Sequence, residues 1–200
     1  MNWLFPQVCP ICGAATTDIL CRSCAAFLPP ENIRISMGVD MDARALYRYN
    51  PEIRDAVYRL KFRGQCGLAE GFGRLIARGT AGTPFDVVTY VPMDFAKRAR
   101  RGYNQAELLA RSCARALRCP CRKLLSKTRA TRTQHELSAA ARAENVAGAY
   151  RASSAAGLRV LLCDDIITTG ATMRACAHAL RDAGAVYVQT FCIAWSRGTL

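Results

Sequence analysis

The sequence predicts an α/β domain organised on a parallel sheet and preceded by a small four-cysteine segment. Three observations carry this reading. From residue 45 to residue 195, apolar runs of strand length alternate with stretches of helical periodicity, the pattern of βαβ units. Two Cys-x-x-Cys pairs stand together near the N-terminus, ahead of that alternation. Hydrophobic residues make up 51% of the 200, with a mean hydropathy of +0.02, so the chain can fill the core of one domain and is too apolar for a disordered one.

Three segments follow in order: 1–36, the cysteine segment; 37–82, a strand–helix–helix lead-in; and 83–200, the core of the domain. Pro29-Pro30 punctuates the first. In the second, residues 45–49 read as a short strand. Asn50-Pro51 then caps a helix whose Ile53, Ala56, Val57 and Leu60 recur on one face, and Gly64 ends it. A further helix over 68–78 gathers Leu68, Phe72, Leu75 and Ile76. The core opens with a continuous apolar strand over 85–91, closed by Pro92. A helix over 102–118 has Ala106, Leu109, Ala110, Cys113 and Leu117 on one side and Arg111, Arg115 and Arg118 on the other. A short strand at 123–125, a polar basic stretch at 126–135 and a helix at 136–145 come next. A buried strand at 158–163, a helix at 171–183 stopped by Gly184 and a strand at 185–195 complete the pattern.

Charge and cysteine usage narrow the environment. The formal net charge is +13, and twelve Lys or Arg against the single acid Glu107 fall between Lys97 and Arg132. Such a concentration favours a polyanionic ligand, either a nucleic acid or a small polyphosphate. The first residues lack the basic head of a secretory signal, and no apolar run approaches the roughly 18 residues of a membrane span. A cytoplasmic protein is expected. Seven of the eleven cysteines are scattered singly, as small hydrophobes in a reducing compartment would be.

Cys9, Cys12, Cys21 and Cys24 are different, because two Cys-x-x-Cys knuckles eight residues apart can close around one thiophilic ion. Structural zinc is the preferred reading, with a rubredoxin-like iron site or a redox dithiol as alternatives. Cys119 and Cys121 lack companions and read as packing. His178 falls on the polar side of its helix and reads as exposed surface.

The most informative stretch runs from Val160 to Thr172. A buried strand delivers Asp164 and Asp165 to the carboxyl edge of the sheet, where open α/β folds bind ligands. Adjacent carboxylates there suit the vicinal hydroxyls of a ribose. Thr168, Thr169, Gly170, Ala171 and Thr172 then turn into a helix N-terminus, where backbone N–H groups and hydroxyls converge on a phosphate. After the first long strand, Pro92 and Met93 lead to Lys97, Arg98, Arg100 and Arg101, a cationic stretch suited to pyrophosphate. The stretch holding Arg132 and Gln134 reads as a basic lid.

The block from 160 to 172 resembles the phosphoribosyl pyrophosphate motif of type I phosphoribosyltransferases. The resemblance becomes closer over the whole chain. The paired cysteines, the stretch from Tyr49 to Gly64 with Leu-Lys-Phe-Arg-Gly, Arg-Gly-Tyr-Asn-Gln at 101–105, Gln-x-x-Leu and Arg-x-x-Asn from residue 134, and Asp-Asp-x-x-Thr-Thr-Gly stand in the order found in the ComF family. Those proteins are phosphoribosyltransferase-like and are associated in some bacteria with DNA uptake in natural competence. His135-Glu136 departs from the family pattern.

The resemblance implies a type I phosphoribosyltransferase fold with zinc on the N-terminal cysteines. It assigns Asp164 and Asp165 to the ribose hydroxyls and residues 168–172 to the 5-phosphate, with Mg²⁺ accompanying the pyrophosphate. Asp164, Asp165 and Arg101 are the expected catalytic residues, and the expected activity is phosphoribosyl transfer to an unidentified acceptor. The competing reading is a non-catalytic protein on the same fold that engages single-stranded DNA or a partner of the competence machinery. A homodimer is a further expectation.

Overall fold

The computed structural model describes residues 7–37, 41–80, 82–128 and 148–196. The elements run α1 (Arg22–Phe27), β1 (Ile33–Ser36), β2 (Asp42–Arg48), α2 (Pro51–Phe62), α3 (Leu68–Gly79), β3 (Val87–Tyr90), α4 (Phe95–Arg101), α5 (Gln105–Leu117), β4 (Leu125–Lys127), β5 (Tyr150–Ala152), β6 (Arg159–Ile167), α6 (Ala171–Asp182) and β7 (Tyr187–Trp195). One five-stranded sheet has the order β1-β2-β7-β6-β3, and β4 pairs with β5 in a separate two-stranded sheet. Within the larger sheet β2, β7, β6 and β3 are parallel, as the alternating pattern predicts, whereas the edge strand β1 is antiparallel to β2.

Strand alternation sorts the core onto two faces. From β6, Leu161 and Cys163 join Phe72, Ile76, Leu109 and Cys113 of α3 and α5. Val160 and Leu162 join Met173, Cys176 and Leu180 of α6 on the other face. The sheet is therefore a middle layer between helices. The cysteine segment packs on the α2–α3 side, where Cys9, Ile11 and Ile19 share a cluster with Tyr47, Ile53 and Leu68.

Besides the unanticipated α1 and β5 and the shifted β4, three differences from the sequence reading shape the sheet and its edge. Ile33–Ser36 is a short edge strand that carries two exposed positions in four, so its alternation is too brief to register, and the sheet begins ahead of the boundary at residue 36. Residues 95–101 form a helix where the sequence reading names only a cationic stretch; Gly102, at φ +84°, closes it in the left-handed region open to glycine. The third is β6, which continues through the two aspartates to Ile167, paired along β7 as far as Ile167↔Trp195.

That extension creates the cleft. β3 stops pairing after Tyr90↔Cys163, and the last bond across this edge is Val91 N–H to Cys163 O at 3.1 Å. Beyond this point β6 loses one neighbour, and residues 164–167 face an opening instead of a strand.

Helix α3 approaches α5 closely at Gly73. A Cβ there would lie 2.5 Å from Ser112 Cβ and 2.7 Å from the Leu109 carbonyl oxygen, distances that require a backbone shift. Gly73→Ala is expected to destabilise the fold by about 1–3 kcal/mol despite alanine's better helix propensity. Thermal unfolding would register this as a Tm lower by roughly 2–10 °C for a chain of this size. A Tm at or above that of the wild type would show that the close approach is not required.

Candidate functional site

The opening beside β6 is a cleft of about 850 Å³ bounded by the carboxyl ends of β3 and β6, the start of α6, helix α2 and the α4–α5 junction. Its lining includes Asp164, Asp165, all five residues from Thr168 to Thr172, Pro92, Met93, Lys97 and Arg101. Most residues singled out in the sequence are thus brought together. Arg98 and Arg100 are not in the lining: Arg98 pairs with Glu107 at 3.2 Å, and Arg100 is exposed on α4. Arg132, Gln134 and His135 lie outside the described residues. His178 is exposed, in keeping with its polar helix face.

The two aspartates are not equivalent. Neighbouring residues of a strand point to opposite faces, so they meet different surroundings. Asp165 turns toward α2 and α5 and is 5% exposed; Lys61 Nζ lies 3.0 Å from its Oδ1, and Gln105 Nε2 donates to its Oδ2 at 2.5 Å. Asp164 accepts the Asp165 backbone N–H at 2.8 Å. Burial, then the neighbouring Asp165 charge, push the Asp164 carboxyl up to about 8, with Lys61 acting the other way. The site therefore holds one carboxylate matched by a lysine and one that retains its proton in the free protein near neutrality.

The segment from Arg101 to Gln105 is one mechanical piece. Gly102 ends α4, and the Tyr103 hydroxyl donates to the Leu60 carbonyl of α2. Asn104 caps α5 by accepting Ala106 N–H at 3.0 Å and donates through Nδ2 to Val91 O at 3.0 Å, which fixes the helix start to the end of β3. Gln105 accepts from Arg101 Nη1 at 2.5 Å through its carbonyl and donates to Asp165 through its amide. Arg101, Gln105, Asp165 and Lys61 form a continuous chain of contacts across the cleft floor. Lys61 and Gln105 were not singled out as site residues, because no local pattern marks a lysine on one helix as the partner of an acid about a hundred residues later.

At the opposite end, Gly170 takes φ +73° and leads into α6; it has no side chain to cap the helix, and Ala171 N–H donates to Thr169 Oγ1 at 3.4 Å. Thr168 to Thr172 line the cleft at this helix start, an arrangement that favours a phosphate. Met37 lies beneath the turn, where a Cβ on Gly170 would come within 3.1 Å of its Sδ. Asp94 is occupied by Lys127, whose Nζ is 2.8 Å from Oδ1 and 2.9 Å from Oδ2.

The four N-terminal cysteines also converge. Their sulfurs all lie within 4.8 Å of one another, with Cys12 and Cys21 Sγ 3.6 Å apart. A tetrahedron of about 2.3 Å metal–sulfur bonds has edges near 3.8 Å, so the donor set fits a thiophilic ion. Local structure prepares it: Cys9 accepts from Gly13 N–H at 2.8 Å, and Cys21 caps α1 by accepting Cys24 N–H at 3.5 Å. Tyr47 Oη, on a residue 1% exposed and packed with Cys9, is the buried side-chain polar atom without a hydrogen-bond partner among the described residues. Burial and the Cys9 and Cys24 thiols push its ionisation up. The four cysteines are the group with metal-ligand convergence among the described residues. Asp164 and Asp165 alone are too few for a protein-held Mg²⁺ but suit one delivered on a polyphosphate.

Comparison with known proteins agrees with this geometry. The family model for the phosphoribosyl transferase domain matches residues 103–199. The DNA utilization protein YhgH of Salmonella typhi is 32% identical over 198 residues, covering 94% of this chain and 83% of that protein. Competence protein F of Haemophilus influenzae is 31% identical, covering 92% and 84% respectively. Competence protein ComFC of Bacillus subtilis is 28% identical, covering 89% and 73%.

The raised Asp164 carboxyl has a measurable consequence. In the unfolded chain it ionises near pH 3.9, whereas in the folded protein it holds its proton to about 8. Its favourable contribution is complete below the unfolded value and is lost as pH rises toward 8, because ionisation then opposes burial. Asp164→Asn is therefore expected to raise the Tm by at least about 2 °C at pH 8, with the gain shrinking toward zero near pH 4. A variant less stable than the wild type at pH 8 would contradict the assigned environment.

Proposed function

The chain belongs to the ComF family of phosphoribosyltransferase-domain proteins, and from that premise we propose that it binds phosphoribosyl pyrophosphate in this cleft and transfers the phosphoribosyl group to an acceptor. The observation that carries the reading is the juxtaposition of an acid pair and a glycine-led helix start on one cleft wall, with cations on the other. The 5-phosphate would accept the N–H groups of residues 168–172. Asp164 would receive the ribose hydroxyls, while Asp165, matched by Lys61 and oriented by Gln105, fixes the floor beneath them. Arg101 and Lys97 would face the pyrophosphate.

Mg²⁺ bound with the ligand would supply charge neutralisation to the departing pyrophosphate. In the step itself, a lone pair on an acceptor nitrogen forms a bond to the anomeric carbon. The carbon–oxygen bond to pyrophosphate breaks, its electron pair leaves with pyrophosphate, and the acceptor's nitrogen-bound proton passes to pyrophosphate or water. Positive charge builds at the anomeric carbon, and the cleft aids by aligning the reactants and holding cations at the leaving group.

Zinc on Cys9, Cys12, Cys21 and Cys24 is proposed as structural, since four thiolates leave no open coordination position. The names of the relatives support a role in the handling of DNA taken up by the cell, carried out in the cytoplasm. No helix among the described residues is long and apolar enough to cross a membrane. A non-catalytic protein binding single-stranded DNA or a partner is favoured by those same names and by the net charge of +13.

Calorimetric titration with phosphoribosyl pyrophosphate and Mg²⁺ tests the proposal. Saturable binding is expected for the wild type, weakened at least tenfold in Asp164→Asn/Asp165→Asn, together with pyrophosphate release once an acceptor is supplied. No binding by the metal-replete wild type would overturn it, and binding without release across a broad acceptor panel would overturn the catalytic part. Elemental analysis is expected to find one zinc per chain, and its removal by a chelator to lower the Tm. A chelated protein that melted like the untreated one would remove the structural role of the metal.

A further inference from the structure

The turn from Thr168 to Thr172 rests on a residue far outside the matched phosphoribosyl transferase domain, which begins at residue 103. Met37 follows the antiparallel edge strand β1, which β2 and β7 separate from β6 in the sheet. Its N–H donates to Met41 O at 2.9 Å, tying the end of β1 to the approach to β2. Its side chain is 4% exposed and packs in one cluster with Ile167 and Met173, which flank the turn on either side. A Cβ on Gly170 would lie 3.1 Å from Met37 Sδ, 3.3 Å from its Cγ and 3.9 Å from Ile167 Cγ2. Met37 and Ile167 therefore fill the space beneath the turn.

The same residue holds the turn from the helix side. Arg174 stands at the end of the first turn of α6, and its backbone N–H donates to Gly170 O at 2.8 Å. Helical side chains lean toward the N-terminus, and the Arg174 guanidinium reaches back in that direction to the Met37 carbonyl, donating from Nη1 at 2.7 Å. Met37 thus meets both ends of the turn, with its side chain under Gly170 and its carbonyl on Arg174. The charge is the informative part. A cation this close to a helix N-terminus opposes the helix dipole, α6 has no acid in its first turn, and Arg174 makes no salt bridge among the described residues. A hydrogen bond that served packing alone needs only a neutral donor. A phosphate seated on the turn reverses the sign, because the guanidinium then lies within about one helical turn of an opposite charge. Neither Met37 nor Arg174 lines the cleft, so both act through the turn and not by touching a ligand.

We propose that Met37 is the floor of the 5-phosphate turn and that Arg174, anchored on the Met37 carbonyl, is a positioning residue that supplies charge to the phosphate from behind. This rests on the phosphoribosyl pyrophosphate reading above and extends the phosphate subsite to the β1–β2 end of the sheet. Met37 fixes the height of Gly170, and Arg174 holds the first turn of α6 to that floor.

Calorimetric titration of the full chain with three probes, each with Mg²⁺, tests this. Phosphoribosyl pyrophosphate and ribose 5-phosphate both carry the 5-phosphate, whereas inorganic pyrophosphate lacks it. Arg174→Gln, which replaces the guanidinium with a neutral amide, is expected to weaken the two 5-phosphate probes about fivefold or more and to leave pyrophosphate within about twofold. Arg174→Lys, which keeps the charge and a donor for one carbonyl, should bind all three within about twofold of the wild type. Met37→Ala, which empties the space under Gly170, should weaken the same two probes, and the volume-conserving Met37→Leu should restore them. Ribose 5-phosphate bound as tightly by Arg174→Gln as by the wild type overturns the role of the charge, and the same result for Met37→Ala overturns the floor. A variant that weakens pyrophosphate as much as the 5-phosphate probes reports general damage to the cleft and overturns the assignment to the turn. A wild-type protein that binds none of the three would instead strike the underlying reading, and this inference with it.

Discussion

The site depends on one costly arrangement: two consecutive aspartates placed in a strand that is buried on both faces. A strand sends neighbours to opposite sides, so the two carboxylates meet different surroundings. Asp165 falls on the side of α2 and α5, where Lys61 and Gln105 meet it. Asp164 falls on the other and is held with its proton to about 8. A buried charge without a partner costs several kcal/mol, and the protein answers that cost differently for each acid. One is matched by a lysine, and the other is held toward its protonated form. This asymmetry is invisible if the pair is read as a single motif.

Lys61 gives α2 its importance, because the helix must be held at one distance from the sheet for that ion pair to form. Both of its flanks are tied. On one, Tyr103 donates to the Leu60 carbonyl next to Lys61. On the other, the Arg59 guanidinium donates to the Ile11 carbonyl within the first cysteine knuckle. The Arg-Gly-Tyr-Asn-Gln segment is thus a set of fasteners joining α2, the end of β3 and the acid pair, with Arg101 at the cleft-facing end.

Much of this was legible in the sequence where the signal is local. The apolar strand ending in Asp164-Asp165, the Thr/Gly turn and the paired cysteines each carry their chemistry within a dozen residues, and the structure gathers them as expected. What escaped reading depended on contacts across the chain or on misleading composition. Lys61 lies in a stretch that resembles the family but is chemically silent until Asp165 is placed beside it. The run Lys97 to Arg101 reads only as a cationic stretch, because charge hides its helical turn. Tyr58 and Phe62 sit off the buried stripe of Ile53, Val57 and Leu60, and periodicity assigns such residues to solvent. Only the fold reveals that this solvent-facing side is a wall of the cleft.

The cysteine segment then acquires a place in the architecture that does not require it to touch a ligand. Arg59 lies at the back of α2, in a second cavity bordered by Cys12, Cys24 and Leu68, and its partner Asp55 borders both that cavity and the cleft. Pro10 packs against Gly71, where even a Cβ would approach it to 2.8 Å, so the first knuckle is pressed onto the α2–α3 pair. A segment with few apolar residues cannot hold such a position by burial alone, and four thiolates closing on one ion would make it rigid. Rigidity there passes through Arg59 into α2, and through α2 to Lys61, Tyr58 and Phe62. The cysteine knuckles and the cleft are joined through one helix, so an ion held by the four thiolates would bear on a site it does not enter.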